Sequence, residues 1–234
     1  MSFSRNATVA RIRAIYGKRL KSEQYKELIN KKSVSEVAEY LKRNTRYSGV
    51  LANIDTNNIH RGFLEDILTK GNFEMYVDLC KFQNLDNEPF YRFLIELDEI
   101  KEILNAILYL NAGVSGSYIV DLPTFLLSRA SFNLLEIAKI RSFKQLLAVL
   151  SKTDYYHVLK DINEDENGKV DFTECEVNLR THYLKKLLKT AKRDFKGSAR
   201  DELMRQIEVQ VDLINIINAY RMKSFFNADS YEIK

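Results

Sequence analysis

Apolar residues recur along this chain at spacings of three and four. Phe90, Phe93, Leu94, Leu97, Ile100, Leu104 and Leu108 form one such stripe, and Leu203, Ile207, Val211, Ile214 and Ile217 form another. A helical repeat brings these positions onto one face, so each stripe predicts a long helix with one buried side. The first is expected from Pro89 to about Asn111, with its proline in the first turn, where the missing N–H costs nothing. The second is expected from Ser198 to about Phe225, preceded by a helix from Thr173 to Lys196. Two long helices joined by a short turn predict an antiparallel hairpin. Nearer the amino terminus the pattern predicts a helix over residues 5 to 30. A short helix follows, opened by Ser33, with Glu36 completing a capping box. Asp55 or Thr56 then begins a helix that runs to Lys70, Gly71 stops it, and another spans Phe73 to Phe82. Short helices lie between Pro123 and Asp161, ahead of an acidic loop. With two prolines and eight glycines in 234 residues, little interrupts helices, and an all-α fold is expected.

Much of this pattern is stated twice. Ser33-Val34, Tyr40-Leu41, Thr45, Tyr47 and Leu51 return as Ser142-Phe143, Val149-Leu150, Thr153, Tyr155 and Leu159. The offset is 109 residues at the serines and 108 at the threonines. Leu104-Asn105-Ala106 likewise returns as Ile217-Asn218-Ala219. A period near 110 residues is domain-sized, unlike the roughly 20 to 50 residues of solenoids. The expectation is pseudo-repeated helical modules, 1–115 and 116–234, with short-helix clusters on long antiparallel helical struts.

At 45% hydrophobic and 29% charged, the chain can bury a real core and is not of the disordered class. Its most apolar run, Ile103 to Leu110, is broken by Asn105 and falls short of the ~18 to 20 residues of a membrane span, so it reads as a soluble protein. Cys80 and Cys175 stand alone and read as reduced, packed thiols. Residues 1 to 22 are basic without an acid, which imitates a transit peptide, but Val9, Ile12 and Tyr16 lead into Tyr25 and Leu28 as a folded helix would. A net charge of +4 is modest, and Lys185, Lys186, Lys189, Lys192, Arg193 and Lys196 alternate with leucines as the solvated face of a helix does. A nucleic-acid footprint is not expected.

Residues arranged for chemistry are few. His60, His157 and His182 are far apart, and no serine or cysteine stands in a nucleophile setting, so no catalytic residue is expected. No phosphate loop or dinucleotide fingerprint is present, so neither a cofactor nor a small-molecule substrate is expected. One metal pattern remains. Asn163, Asp165, Asn167, Asp171 and Glu174 occupy positions 1, 3, 5, 9 and 12 of a calcium loop, with Gly168 at the turn. Asn163 in place of Asp removes one formal charge, and no second copy exists to pair with it. The competing reading is an acidic loop ahead of a helix, with Glu174 and Glu176 in its first turn.

The segment Arg11-Ile12-Arg13-Ala14, followed by Gly17, Leu20, Tyr25, Leu28, Ser33-Val34, Glu36-Val37, Tyr40-Leu41, Thr45 and Tyr47, resembles the C-subunit family of V-type ATPases, whose eukaryotic members are called the d subunit. Asp212, Asn215, Asn218, Arg221 and Lys223 resemble that family's interior helix motif. The resemblance implies a non-catalytic rotor adaptor, cytoplasmic and peripheral to the membrane. Its partners would be the central stalk and the membrane rotor ring of a proton- or sodium-translocating ATPase. It also implies a third module, which this chain, ending at Lys234, is expected to lack, through truncation or natural shortness. Asn105, Asn218 and Arg221 are the candidate stalk-facing positions, with interior amides as the plainer reading of the asparagines. The alternative function is a duplicated helical scaffold or calcium-responsive interaction module unrelated to ATPases.

Overall fold

The structure is a computed structural model that describes residues 2–82, 89–114, 123 and 125–226, and the side chains among them except those of 2–6, 221, 225 and 226. The described residues form helices α1 (Ser2–Gly17), α2 (Ser22–Ile29), α3 (Val34–Asn44), α4 (Arg61–Phe82), α5 (Phe93–Asn111), α6 (Leu134–Ile137), α7 (Phe143–Val149), α8 (Asp154–Leu159), α9 (Phe172–Asp194) and α10 (Gly197–Phe226). Single 3-10 turns occupy Arg46–Ser48 and Pro89–Arg92. The fold is all-α.

Two apolar cores organise these helices. The smaller gathers Ala38, Leu41, Leu51, Ile59 and Leu64, with Leu20, Leu28 and Ile67 packed against it. The larger is built on Ile95, Ile100, Ile103, Leu104 and Ile107 of α5 and closed by side chains of α6 to α9, among them Leu134, Leu146, Leu159 and Leu179. It draws on residues from both sides of position 115. One element serves both cores: α4 gives Leu64, Ile67 and Leu68 to the smaller and Phe73 and Val77 to the larger.

The two serines of the recurring block do the same job. Ser33 Oγ accepts the Glu36 N–H at 3.2 Å, and Ser142 Oγ accepts the Gln145 N–H at 3.3 Å. In each case the long side chain reaches back, Glu36 to the Lys32 N–H and Gln145 to the Arg141 N–H. Such caps satisfy N–H groups that a first helical turn leaves open. Thr45 donates its hydroxyl to the Leu41 carbonyl of α3, and Thr153 to the carbonyl of Leu150, the residue that follows α7.

Three expectations are corrected. The helix foreseen over 5 to 30 is broken at 18–21, where Gln24 accepts the Lys21 N–H and donates to the Asn44 carbonyl, so α2 is capped separately and tied to α3. Gly71 does not stop a helix; α4 runs through it. A Cβ at Gly71 would lie 2.7 and 2.8 Å from the two Val50 methyls, so this glycine is where a loop side chain closes onto the helix. Thr56, foreseen as a helix start, is buried and donates to the Glu39 carboxylate at 2.8 Å, and α4 begins only at Arg61.

The carboxyl-terminal hairpin forms as foreseen. Gly197 turns it with φ 58°, a left-handed conformation that glycine adopts without a steric penalty. Phe195, in the turn, packs edge-on against Phe90 at 4.9 Å. The stripe on α10 is buried only in part: Ile207 is covered, while Ile214 and Ile217 are exposed. Cys175, Leu179 and Tyr183 of α9 are committed to the larger core shared with α5 and α8, and the distal half of α10 has no comparable cover.

Candidate functional site

A dense polar cluster lies where α5, α8 and α9 meet. Glu99 sits on the buried face of α5 and is 1% exposed. Its carboxylate accepts the Tyr155 hydroxyl at 2.6 Å and the Ser131 N–H at 2.5 Å, and the Arg92 guanidinium stands 3.7 Å away. Burial pushes the Glu99 carboxyl above its ordinary range, and the bonds from Tyr155 and Ser131 and the charge of Arg92 pull it part of the way back. Burial beside that carboxylate pushes the Tyr155 hydroxyl up strongly. One turn earlier on α5, Glu96 bonds Lys186 of α9 at 3.0 Å, and Lys186 also bonds Asp154 of α8 at 3.1 Å. The Lys186 bond holds the Asp154 carboxyl below its usual range. Arg92, Glu96, Glu99, Lys152, Asp154 and Lys186 line a cavity of about 210 Å³ here. Positive and negative groups balance, and every carboxylate has its donors. This arrangement braces three helices.

Sequence reasoning assigned no role to Glu99 or Glu102, where Glu96 to Glu102 is simply an acidic stretch. The signal it passed over was register. Ile95, Glu99, Glu102 and Ala106 fall at spacings of four, three and four, so both glutamates share the inward face. Glu102 is buried as well, beside a second cavity of about 250 Å³ lined by Asp66, Asp98, Lys101 and Asn105. Burial raises the Asp98 carboxyl, with Lys101 opposing.

Of the candidate stalk-facing residues, Asn105 is half-buried on α5 and lines that acidic cavity. Asn218 is exposed on distal α10, apart from that lining. Arg221 falls within α10, and its side chain lies outside the described residues.

The acidic loop is held by its own backbone. Asp165 Oδ1 accepts the N–H groups of Asn167 and Lys169 at 2.8 and 2.9 Å, and these bonds keep its carboxyl below the usual range. Gly168 takes φ 73°, and Glu164 pairs with Val170 as a lone antiparallel bridge. Asp171 caps α9 by accepting the Glu174 N–H at 3.1 Å. Asn111, at the end of α5, clamps the loop from below, donating to the Val170 carbonyl and accepting its N–H. The Asp165 and Asp171 oxygens at calcium-loop positions 3 and 9 thus serve N–H groups. Among the described residues no three His, Cys, Asp or Glu side chains converge as metal ligands.

The remaining chemistry-bearing side chains are dispersed. His60 accepts the Phe63 N–H as a cap, His157 is exposed, and His182 Nε2 is buried 4.0 Å from Asp154. Both cysteines are buried thiols, and burial raises that of Cys175 to about 11. Among the described residues no helix is long and apolar enough to cross a membrane.

This chain is similar to two curated proteins. It is 24% identical over 215 residues to the A-type ATP synthase C subunit of Thermococcus kodakarensis, an alignment covering 92% of this chain and 56% of that one. It is 26% identical over 216 residues to the A-type ATP synthase C subunit of Desulfurococcus sp. (strain SY), with the same coverages of 92% and 56%. The chain thus spans 56% of the length of each of these relatives. No solved structure matches it. The profile of the ATP synthase (C/AC39) subunit family matches residues 8–233, and across that span lie the recurring caps, the polar brace on α5 and the α9–α10 hairpin; the chain belongs to the ATP synthase (C/AC39) subunit family.

Proposed function

We propose that this chain is a non-catalytic rotor adaptor of an A/V-type proton- or sodium-translocating ATPase, joining the central stalk to the membrane rotor ring and so lying peripheral to the membrane. The observation that carries the reading is the family match from residue 8 to 233. The physics is compatible. An adaptor that passes torque needs stiffness over a distance, and α9 and α10, at 23 and 30 residues, reach roughly 35 and 45 Å at about 1.5 Å per residue. The Glu99 and Lys186 networks cross-brace α5, α8 and α9, which resists shear between them. Adaptors also need surfaces for partners to cover, and α1 offers Val9, Ile12 and Tyr16, all exposed. In this reading the chain is two helical modules, 1–115 and 116–234, and Asn105, Asn218 and Arg221 face the stalk.

The test is a binding assay with purified central-stalk subunits, with the rotor ring in detergent as second partner and an unrelated helical protein as control. Saturable binding to stalk or ring supports the adaptor. Binding to neither, by a chain whose circular dichroism shows it folded, overturns it.

A further inference from the structure

The outward side of α10 carries a seam that the family reading does not use. Val209, Leu213, Ile216 and Tyr220 follow one another at spacings of four, three and four. At about 100° per residue they fall within roughly 60° of one another, on the side opposite the buried Ile207. They are 43%, 55%, 63% and 67% exposed. From Val209 to Tyr220 the single charged residue is Asp212. Spacing of this kind is the seam of a two-helix coiled coil.

We propose that two copies of this chain pair through this seam with their α10 helices antiparallel. Three observations favour a second copy. The four-three-four spacing reads the same from either end, so antiparallel pairing sets Val209 opposite Tyr220 of the other copy and Leu213 opposite its Ile216, a closed two-fold contact. The charges agree. Lys223, beyond one end, comes beside Glu202, Arg205 and Gln206 of the other copy, with Arg205 already paired to that Glu202, whereas parallel pairing would set Lys223 on Lys223 and Asp212 on Asp212. Area agrees as well. With Ile217 on the flank, the patch offers on the order of 500 Å² per copy, so about 1,000 Å² for the pair, the size at which specific interfaces begin. Glu202 already accepts from Arg205 and Gln206 in its own helix, so the end layers set orientation more than strength. The pairing does not rest on the adaptor reading: it concerns the free chain, and a partner that needed this face would have to displace the second copy.

The experiment is sedimentation equilibrium of the full chain from about 1 to 100 µM, a range chosen for an interface of this small size. The expected result is a mass rising with concentration from 27.3 kDa to twice that value. Ile216→Asp, an exposed position, is expected to shift the transition at least tenfold upward in concentration. Ile214→Asp, equally apolar but off the seam and 43% exposed against 63% for Ile216, is expected to leave it in place. Orientation is read from disulfides: a mixture of Val209→Cys and Tyr220→Cys chains is expected to cross-link, and Val209→Cys alone is not. A single 27.3 kDa species throughout overturns the pairing, as does equal loss in both aspartate variants. Cross-linking of Val209→Cys alone overturns the antiparallel arrangement.

Discussion

Tyr47 and Tyr155 are the same word of the recurring block, yet removing their hydroxyls is expected to have very different costs. Tyr155→Phe withdraws one of the donors to a carboxylate that is 1% exposed, where water cannot take its place. A hydrogen bond to a charged group in such a site is worth about 1.5 to 3 kcal/mol, and we expect a loss near 2 kcal/mol. Tyr47 is half-buried, and its oxygen accepts from Arg46 at 3.1 Å, a contact water replaces, so Tyr47→Phe should cost less than about 1 kcal/mol. The assay is urea unfolding followed by circular dichroism, run from pH 5 to 8. Burial holds the Glu99 carboxyl above its unfolded value, so its contribution to stability is greatest below the unfolded value and is lost as pH rises through the folded one. Tyr155→Phe removes a donor that lowers the folded value, raising it further. The deficit of the variant against the parent should therefore widen toward pH 8 and narrow toward pH 5. Equal costs for the two phenylalanine variants, or a Tyr155→Phe deficit that does not change with pH, would refute the assignment of Glu99 as a buried, donor-dependent carboxylate.

Gly71→Ala should destabilise by about 1 to 3 kcal/mol despite the better helix propensity of alanine, because its Cβ overlaps the Val50 methyls. Val50→Ala in the same chain should recover most of that loss, measured as a double-mutant cycle. Ser33→Ala and Ser142→Ala should each cost about 1 kcal/mol in urea unfolding, since both caps have the same geometry. Adding millimolar calcium should leave the thermal midpoint unmoved, since Asp165 and Asp171 each hold backbone N–H groups through Oδ1; a midpoint that rises steadily with calcium would show that the loop reorganises to bind it.

The elements most legible in the sequence were those with both a long periodic stripe and local end chemistry. The α9–α10 hairpin came within two residues at each end, because one period runs unbroken to Phe195 and resumes after Gly197. Ser33 and Ser142 announced their helices through side chains that act over only three or four residues. What sequence missed depended on partners distant along the chain. Gly71 read as a stop because nothing local says that Val50 closes on it. Glu99 was passed over because its partners, Tyr155 and Ser131, lie 56 and 32 residues away. The α10 stripe read as buried along its whole length because periodicity specifies a face and is silent on how far the neighbour reaches. Asp165 stood as a candidate ligand beside the acidic-loop reading because spacing alone cannot distinguish an oxygen aimed at a cation from one turned onto its own backbone.

The continuity of α4 has a mechanical consequence. A rod seated at one end in each core makes the two lobes tilt only as the rod itself bends. Bending concentrates where the helix is softest, and midway between Leu68 and Phe73 stands Gly71, wedged by Val50. The two Val50 methyls against this glycine thus set the stiffness of the joint between the lobes, and trimming Val50 would slacken that joint without touching either core.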